Sequence, residues 1–173
     1  MSRSEWVDGD VMRHILAALT TENKLAIITS LVTGLRISDV LALRISDVQK
    51  PCFRVTEQKT LKRRQIRLPR RLRLELLKIS GKVYVFEHRL DPCRHRTRQA
   101  VYKDIRRAAR AFRVSARVTP HSARKIYAVS EYRKDLDVKR IKKLLNHDNE
   151  AVTMIYALAD QITAKKGKKK TAR

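Results

Sequence analysis

The chain has 173 residues, 43% of them hydrophobic, which suits a single globular domain large enough to bury a core. Two cysteines are too few for a disulfide framework, and no apolar run approaches the roughly 18 residues of a membrane span. Forty-one lysines and arginines against seventeen acids give a net charge of +24, which indicates a polyanionic partner. We therefore expect a cytoplasmic protein that has no membrane partner.

The basic residues are concentrated in three segments. Residues 59–73 hold eight lysines and arginines and no acid, residues 89–113 hold a second group, and the tail from residue 165 holds a third. Because each phosphate that such a surface neutralises releases counterions, the pattern favours salt-dependent binding to DNA or RNA. A ribosomal-type protein and a membrane-surface binder have similar compositions and are the less favoured alternatives.

The first part of the chain predicts helices. Residues 10–19 carry apolar side chains on one face, and residues 22–33 are nearly apolar throughout, as expected of a buried helix. Gly34 follows in the position favoured for a left-handed helix cap. A further helix is expected to begin near Arg36 and to carry Val40, Leu41 and Leu43.

In the middle of the chain the spacing of the apolar residues changes from helical to alternating. Residues 53–57 and 65–69 alternate apolar and polar side chains on either side of a charged turn, which predicts two short antiparallel strands. The segments expected after them are a helix at 70–79, an extended stretch at 84–86, a loop at 87–97 and a basic helix at 98–112. The predicted fold class is therefore α+β, mainly helical, with a small antiparallel sheet.

The last third predicts three helices and a tail. Thr119 is a good N-cap, followed by proline at the first helical position, and opens a helix to about residue 133. Further helices are expected to begin at Asp137 and Asn149. From about Thr163 the chain becomes too basic and too poor in apolar residues to pack, so we expect one domain over residues 1–162 and a basic tail over 163–173.

Two residues of the helix that begins at Thr119 could bind a phosphate. His121 and Arg124 are three positions apart and share one helix face, and His121 lies in the first turn, where an anion is favoured. An imidazole and a guanidinium placed there could hold a phosphate and transfer a proton. The alternative is a histidine of the capping region beside an ordinary surface arginine.

Two basic residues upstream could join the same site. Arg36 follows the Gly34 break, and a guanidinium near the core must find an anion or an acid, which Asp39 can supply. The alternative is a simple Arg36–Asp39 pair along the helix. Lys59 lies in the turn between the predicted strands, where a lysine can reach a substrate and give up a proton, although Lys62 competes for that role.

The region after the Thr119 helix offers a nucleophile. His147 ends a predicted helix, and Tyr156 follows nine residues later. Arginines around a phosphate and a nearby imidazole would ease ionisation of the phenol, which is otherwise a poor nucleophile. The alternative for Tyr156 is a half-buried aromatic side chain on an amphipathic helix.

Metal and nucleotide motifs are weak in this sequence. His88, Cys93 and His95 match zinc spacings poorly, and the sequence has no paired-carboxylate motif of a magnesium nuclease. It also lacks the glycine patterns of nucleotide-binding loops. We therefore expect no metal and no cofactor.

Taken together, these residues resemble the catalytic domain of the tyrosine recombinase, or phage integrase, family. The resemblance runs from about residue 10 to about residue 160 and rests on T-G-L-R-I-S-D-V-L-A-L, P-H-S-A-R and the spacing from L-L-N-H to the tyrosine. It implies the fold of that domain, Asp39 in a supporting role, and the catalytic residues Arg36, Lys59, His121, Arg124, His147 and Tyr156. Asn146 and Lys125 depart from the family's common glycine and histidine, but neither is a catalytic position.

The resemblance implies a site-specific recombinase, or integrase of a mobile element, that cleaves and rejoins DNA strands through a 3′-phosphotyrosyl intermediate. It implies tetramers on two double-stranded DNA sites, accessory DNA-bending proteins as further partners, and a place at the nucleoid of the host cell. The residues of the basic turn expected to bind DNA are Lys62, Arg63 and Arg64. We expect the chain to start at the catalytic domain, without the N-terminal core-binding domain of most integrases, either as a fragment of a longer protein or as one of the short family members that lack that domain. A type IB topoisomerase-like enzyme and a non-catalytic basic DNA-binding domain are the alternatives.

Overall fold

The computed structural model describes Glu5, residues 7–135 and Leu145. Within those residues the chain forms seven helices and one two-stranded sheet. The elements in chain order are α1 (Gly9–Ala18), α2 (Thr21–Thr33), α3 (Ile37–Leu41), α4 (Ile45–Val48), β1 (Cys52–Thr56), β2 (Arg63–Arg67), α5 (Arg70–Ile79), α6 (Arg98–Ala111) and α7 (Pro120–Asp135). The class is therefore mainly helical with a small sheet, as predicted.

The first three helices surround a sharp turn. Helix α2 buries most of its length, which explains its nearly continuous apolar sequence. It ends at Gly34, whose φ of 68° is left-handed and whose N–H donates to the Ser30 carbonyl at 2.9 Å. A Cβ atom at Gly34 would collide with the buried ring of Tyr127, so glycine is required here by both backbone and space. The turn delivers Arg36 to the N-cap of α3.

Strands β1 and β2 form a hairpin. They pair antiparallel from Cys52 opposite Arg67 to Thr56 opposite Arg63, and Phe53 and Ile66 face each other on the buried side. The strands begin one or two residues earlier than the alternation predicted. The turn between them closes with the Leu61 N–H donating to the Glu57 carbonyl at 2.8 Å.

The segment between α5 and α6 pairs with the residues just before α4, a contact that the sequence did not predict. The N–H of Val85 donates to the Leu43 carbonyl at 3.0 Å, and the N–H of Ile45 donates to the Val83 carbonyl at 3.2 Å. This pairing joins the predicted extended stretch to the loop before α4, a helix that the sequence pattern did not indicate. Helices α5 and α6 lie within a residue of their predicted bounds.

Helix α7 begins as its sequence predicted. The Thr119 hydroxyl accepts a hydrogen bond from the His121 N–H at 3.2 Å, which caps the first turn, and the helix continues to Asp135. The helices predicted from Asp137 and Asn149, and the boundary between residues 162 and 163, lie outside the described residues.

By packing, the chain forms two compact units that meet between Tyr127 and Ala128. In the first unit a continuous core joins all the helices and the hairpin, and its fully buried side chains include Ile15, Ile27, Leu41, Leu76, Phe86 and Ile105. In the second unit Leu145 is buried and Lys134 pairs with Glu131 at 2.5 Å. Among the described helices none has the length and apolar character needed to cross a bilayer.

Candidate active site

Arg36 lies buried, with 7% of its surface exposed, at the point where the chain leaves the Gly34 turn and enters α3. Its Nη1 donates to Oε2 of Glu57 at 2.5 Å. Asp39 was the expected acidic partner, but the carboxylate that this bond places on the guanidinium comes from the end of β1. A buried guanidinium requires such an anion, because an uncompensated charge in the interior is strongly disfavoured.

Glu57 is fully buried and is the centre of the cluster. Besides Arg36 it accepts hydrogen bonds from Arg64 Nη1 at 3.2 Å and from the Thr60 hydroxyl at 3.2 Å. Burial alone would raise the pKa of the Glu57 carboxyl, but Arg64, then Arg124 and Arg36, outweigh it and hold the pKa below its ordinary value. Glu57 therefore stays ionised among the arginines.

The pKa of the Asp39 carboxyl is shifted in the opposite direction. Burial raises the pKa of its carboxyl, and the neighbouring charge of Glu57 adds to that effect. The backbone N–H of Gln58 donates to Oδ1 of Asp39 at 3.0 Å and acts in the other direction, as do Arg36 and Arg124. Asp39 thus holds the first residue of the hairpin turn, immediately before Lys59.

Arg124 lies in the second turn of α7 with 1% of its surface exposed. Its charge lowers the pKa of both Glu57 and Asp39, which places the guanidinium close to both carboxylates. The alternative of an ordinary surface arginine is therefore wrong for Arg124. Three arginines, contributed by α7, β2 and the N-terminus of α3, converge on two carboxylates, so the buried cluster carries a net positive charge suited to an anion such as phosphate.

His121 and Lys59 are both exposed. His121 lies one turn before Arg124 and borders a groove of about 380 Å³. The other residues that line the groove are Ile37, Arg98, Gln99, Tyr102, Arg117, Thr119 and Pro120. Lys59 lies in the hairpin turn, one residue after Gln58, whose N–H donates to Asp39.

The three predicted DNA-binding residues of the turn separate into two groups. Lys62 and Arg63 are exposed, and their assignment to DNA stays a prediction. Arg64 is turned inward, with 11% of its side chain exposed, and Nη2 donates to the Thr33 carbonyl at 2.8 Å while Nη1 binds Glu57. In the structure its guanidinium is engaged inside the domain.

Two of the six predicted catalytic residues, His147 and Tyr156, lie outside the described residues, as does Asn146. Of the weak zinc motif, Cys93 is exposed, and the part of the chain described here contains no group of three or more metal-ligating side chains.

Glu57 belongs to none of the motifs that predict the site. A signal existed, because Glu57 is the only acidic residue between Asp47 and Glu75 in a strongly basic stretch, and it stands at the end of a strand. An isolated acid among so many arginines indicates a charge that the fold needs.

Known integrase and recombinase sequences resemble this chain over most of its length. The sequence model of the Phage integrase family matches residues 5–161. The chain is 31% identical over 137 residues to the probable integrase/recombinase YoeC of Bacillus subtilis (strain 168), covering 77% of the chain and 75% of that protein. It is 30% identical over 168 residues to a tyrosine recombinase of Thermosipho africanus (strain TCF52B), covering 91% of the chain and 58% of that protein. Across five such relatives the chain spans 48% to 75% of their length.

Solved structures show the same fold. XerA recombinase superimposes with a TM-score of 0.68 at 23% identity, over 95% of this chain and 66% of that one. A lambda integrase tetramer bound to a Holliday junction gives a TM-score of 0.70 at 23% identity, over 89% of this chain and 48% of that one. The likeness at this identity is one of architecture.

Proposed function

Because the chain belongs to the phage integrase family, we propose that it is a site-specific recombinase that cleaves and rejoins DNA through a 3′-phosphotyrosyl link to Tyr156. The observation that carries the proposal is the burial of Arg36 and Arg124 around two carboxylates, with His121 one turn before Arg124 on α7 and Lys59 next to Gln58, whose N–H binds Asp39. A preorganised set of guanidiniums is what a phosphoryl-transfer transition state needs, since charge develops on the non-bridging oxygens.

In this mechanism Arg36 and Arg124 bind the non-bridging oxygens of the scissile phosphate. The Tyr156 phenolate attacks phosphorus in line, a bond to tyrosine forms, and the bond to the 5′ oxygen breaks. Lys59 supplies the proton to that leaving oxygen. His121 and His147 transfer protons or donate hydrogen bonds to the phosphate.

Asp39 supports the site through the Gln58 N–H, which holds the turn that carries Lys59. The phosphotyrosyl bond conserves the energy of the phosphodiester, so resealing by a 5′-hydroxyl requires neither ATP nor a metal ion. The resealing hydroxyl comes from a partner duplex, and this exchange of partners is the recombination step.

The proposed substrate is double-stranded DNA, and the proposed assembly is a tetramer on two sites. A lambda integrase tetramer on a Holliday junction has the same fold, which supports the assembly. Lys62 and Arg63 are proposed to bind phosphates from the exposed side of the hairpin turn. Accessory DNA-bending proteins, a location at the nucleoid, and docking of residues 160–173 on a neighbouring subunit belong to the same proposal.

A nicked suicide substrate tests the chemistry. The full chain is incubated with it in EDTA, and we expect a covalent protein–DNA adduct that disappears in Tyr156→Phe. The matched control is Tyr132→Phe, a half-buried tyrosine on α7, which should form the adduct at the wild-type rate.

No adduct with the wild-type chain, or an undiminished adduct with Tyr156→Phe, would refute the site. A product that joins two duplexes selects recombination over relaxation by a topoisomerase-like enzyme.

A further inference from the structure

Glu57 and Arg64 lie behind the arginines that are proposed to bind the scissile phosphate. Building on the proposed function, we propose that Glu57 is a positioning residue that orients the Arg36 guanidinium, and that Arg64 holds the Glu57 carboxylate in place. Neither residue touches the DNA in this proposal. Both act through Arg36.

The geometry of Glu57 supports this role. Its carboxylate is fully buried, and Oε2 accepts a charge-assisted hydrogen bond from Arg36 Nη1 at 2.5 Å. The backbone of Arg36 is fixed on the other side by the left-handed Gly34 and by the start of α3. Because a guanidinium carries N–H groups on three nitrogens in a rigid fork, fixing one nitrogen fixes the directions of the other two.

The geometry of Arg64 explains how Glu57 is itself held. On β2 the neighbours Arg63 and Gln65 are exposed, whereas Arg64 turns inward and bonds both Glu57 Oε1 and the Thr33 carbonyl. Thr33 is the last residue of α2, where the helix dipole and the terminal carbonyls favour a cation. Arg64 therefore joins the hairpin to the end of α2, immediately before the turn that delivers Arg36.

A purely structural ion pair would show the same contacts, so the test must report on the phosphate. Replacing a non-bridging oxygen of the scissile phosphate by methyl removes the negative charge that a guanidinium neutralises. An enzyme with a correctly oriented Arg36 loses that interaction, whereas an enzyme with a displaced Arg36 has little left to lose. The ratio of cleavage rates on phosphate and methylphosphonate therefore measures the placement of the arginine and is insensitive to a uniform loss of active protein.

The experiment measures single-turnover adduct formation by the full chain on both substrates. The variants are Glu57→Gln and Arg64→Met, with Arg36→Ala as reference. The controls are Glu75→Gln, whose acid pairs with the exposed Arg71, and Arg13→Met, an exposed arginine of α1 that pairs with Asp10. We expect Glu57→Gln to slow cleavage of phosphate by about 100-fold and Arg64→Met by about tenfold, with the phosphate-to-methylphosphonate ratio falling toward that of Arg36→Ala.

A double-mutant cycle completes the test. If Glu57 acts through Arg36, Glu57→Gln should slow the Arg36→Ala enzyme by less than about twofold. Equal slowing on both substrates, or additive losses in the double variant, would overturn the proposal and leave Glu57 a support of the fold alone. If Glu57→Gln does not fold by circular dichroism, the substrate ratio of Arg64→Met decides by the same criterion.

Adduct formation by the wild-type chain distinguishes a failure of this inference from a failure of the proposed function. A wild-type chain that forms no adduct refutes the proposed function and this inference with it. A wild-type chain that forms the adduct, together with variants whose substrate ratio is unchanged, refutes this inference alone.

Discussion

Two networks of acids and arginines lie in this domain, and they differ in charge balance. At the candidate site Arg36, Arg64 and Arg124 surround two carboxylates. The second network lies where α6 meets the start of α2, and it has Asp104 at its centre. Asp104 accepts from the Thr20 N–H at 3.0 Å, from Asn23 Nδ2 at 2.8 Å and from Arg107 Nη2 at 2.6 Å.

The Asp104 network matches one carboxylate with several donors. Burial raises the pKa of the Asp104 carboxyl, but hydrogen bonds from Asn23, Thr20 and Arg107 outweigh it and lower the pKa. Arg96 extends the network by donating to Asn23 at 2.7 Å. Such an arrangement joins helices and has little left to offer a ligand.

The cluster at the candidate site contains an excess of positive charge and one carboxyl, that of Asp39, with a raised pKa. Maintaining that excess in the interior disfavours folding, and an incoming phosphate would relieve it. The contrast suggests that the Asp104 network contributes mainly to stability and the arginine cluster mainly to chemistry. Substitutions in each network can test that division.

The largest effect is expected from Arg124→Ala. Removing a preorganised guanidinium from the phosphate should slow single-turnover adduct formation by about 10³-fold. The control is Arg110→Ala, an exposed arginine on α6, which should stay within about threefold of wild type. A loss of less than tenfold in Arg124→Ala would place Arg124 outside the chemistry.

Asp104→Asn should instead reduce stability. Weakening the bonds to Asn23, Thr20 and Arg107 is expected to cost about 2 to 3 kcal/mol at pH 7 in denaturant unfolding. Because the pKa of Asp104 is lowered by folding, its stabilisation is present above about pH 4 and is lost as pH falls through the lowered value. The difference between variant and wild type should therefore shrink in acid.

The control for Asp104 is Asp10→Asn, an exposed acid paired with Arg13, which should leave unfolding unchanged. Folded Asp104→Asn should still form the DNA adduct at close to the wild-type rate. A large loss of cleavage in a folded variant would contradict the division between the two networks.

Asp39→Asn should show the opposite dependence on pH. Its raised pKa means that the wild type loses stability as pH rises from about 4 through the raised value, and the variant lacks that loss. Asparagine keeps an acceptor for the Gln58 N–H, so the net change at pH 7 should be about 1 kcal/mol or less. As pH rises from 4 to 8, the free energy of unfolding of the variant should increase relative to that of the wild type. A relative decrease would contradict the environment assigned to Asp39.

The smallest effect is expected at the surface of the hairpin turn. Lys62→Ala and Arg63→Ala should each lower the slope of log K against log salt for DNA binding by about 1, because each removes one phosphate contact. Arg64→Met should leave the slope unchanged, since its guanidinium binds Glu57 and the Thr33 carbonyl. A reduced slope in Arg64→Met would return that residue to the DNA-binding surface.

Local sequence signals predicted much of the fold. The helices over residues 9–33, 70–79 and 98–111 follow from apolar periodicity, and Gly34 and Thr119 mark a helix end and a helix start through local backbone chemistry. The family and the fold class that the resemblance implied are confirmed, and the relatives and solved structures support a recombinase over either alternative. The roles of all six predicted catalytic residues stay predictions.

The contacts that organise the candidate site could not be predicted in the same way. Glu57 holds Arg36 across 21 positions of sequence, and Arg64 reaches Thr33 across 31. No periodicity encodes such pairs, because they depend on how the hairpin packs against the end of α2. The pairing of Val85 with Leu43, and the short helix α4 beside it, depend on the same long-range packing.

The sequence by itself determined the family, because the order of its motifs resembles that of the tyrosine recombinases, and that resemblance named the residues that could carry phosphoryl transfer. Only the tertiary structure decided which arginines lie in the interior and which carboxylate holds them. Burial is a property of packed elements, and a buried charge takes the partner that packing brings within hydrogen-bond distance. For Arg36 that partner is Glu57, which directly follows β1. Nothing in the sequence around Arg36 indicates that pairing.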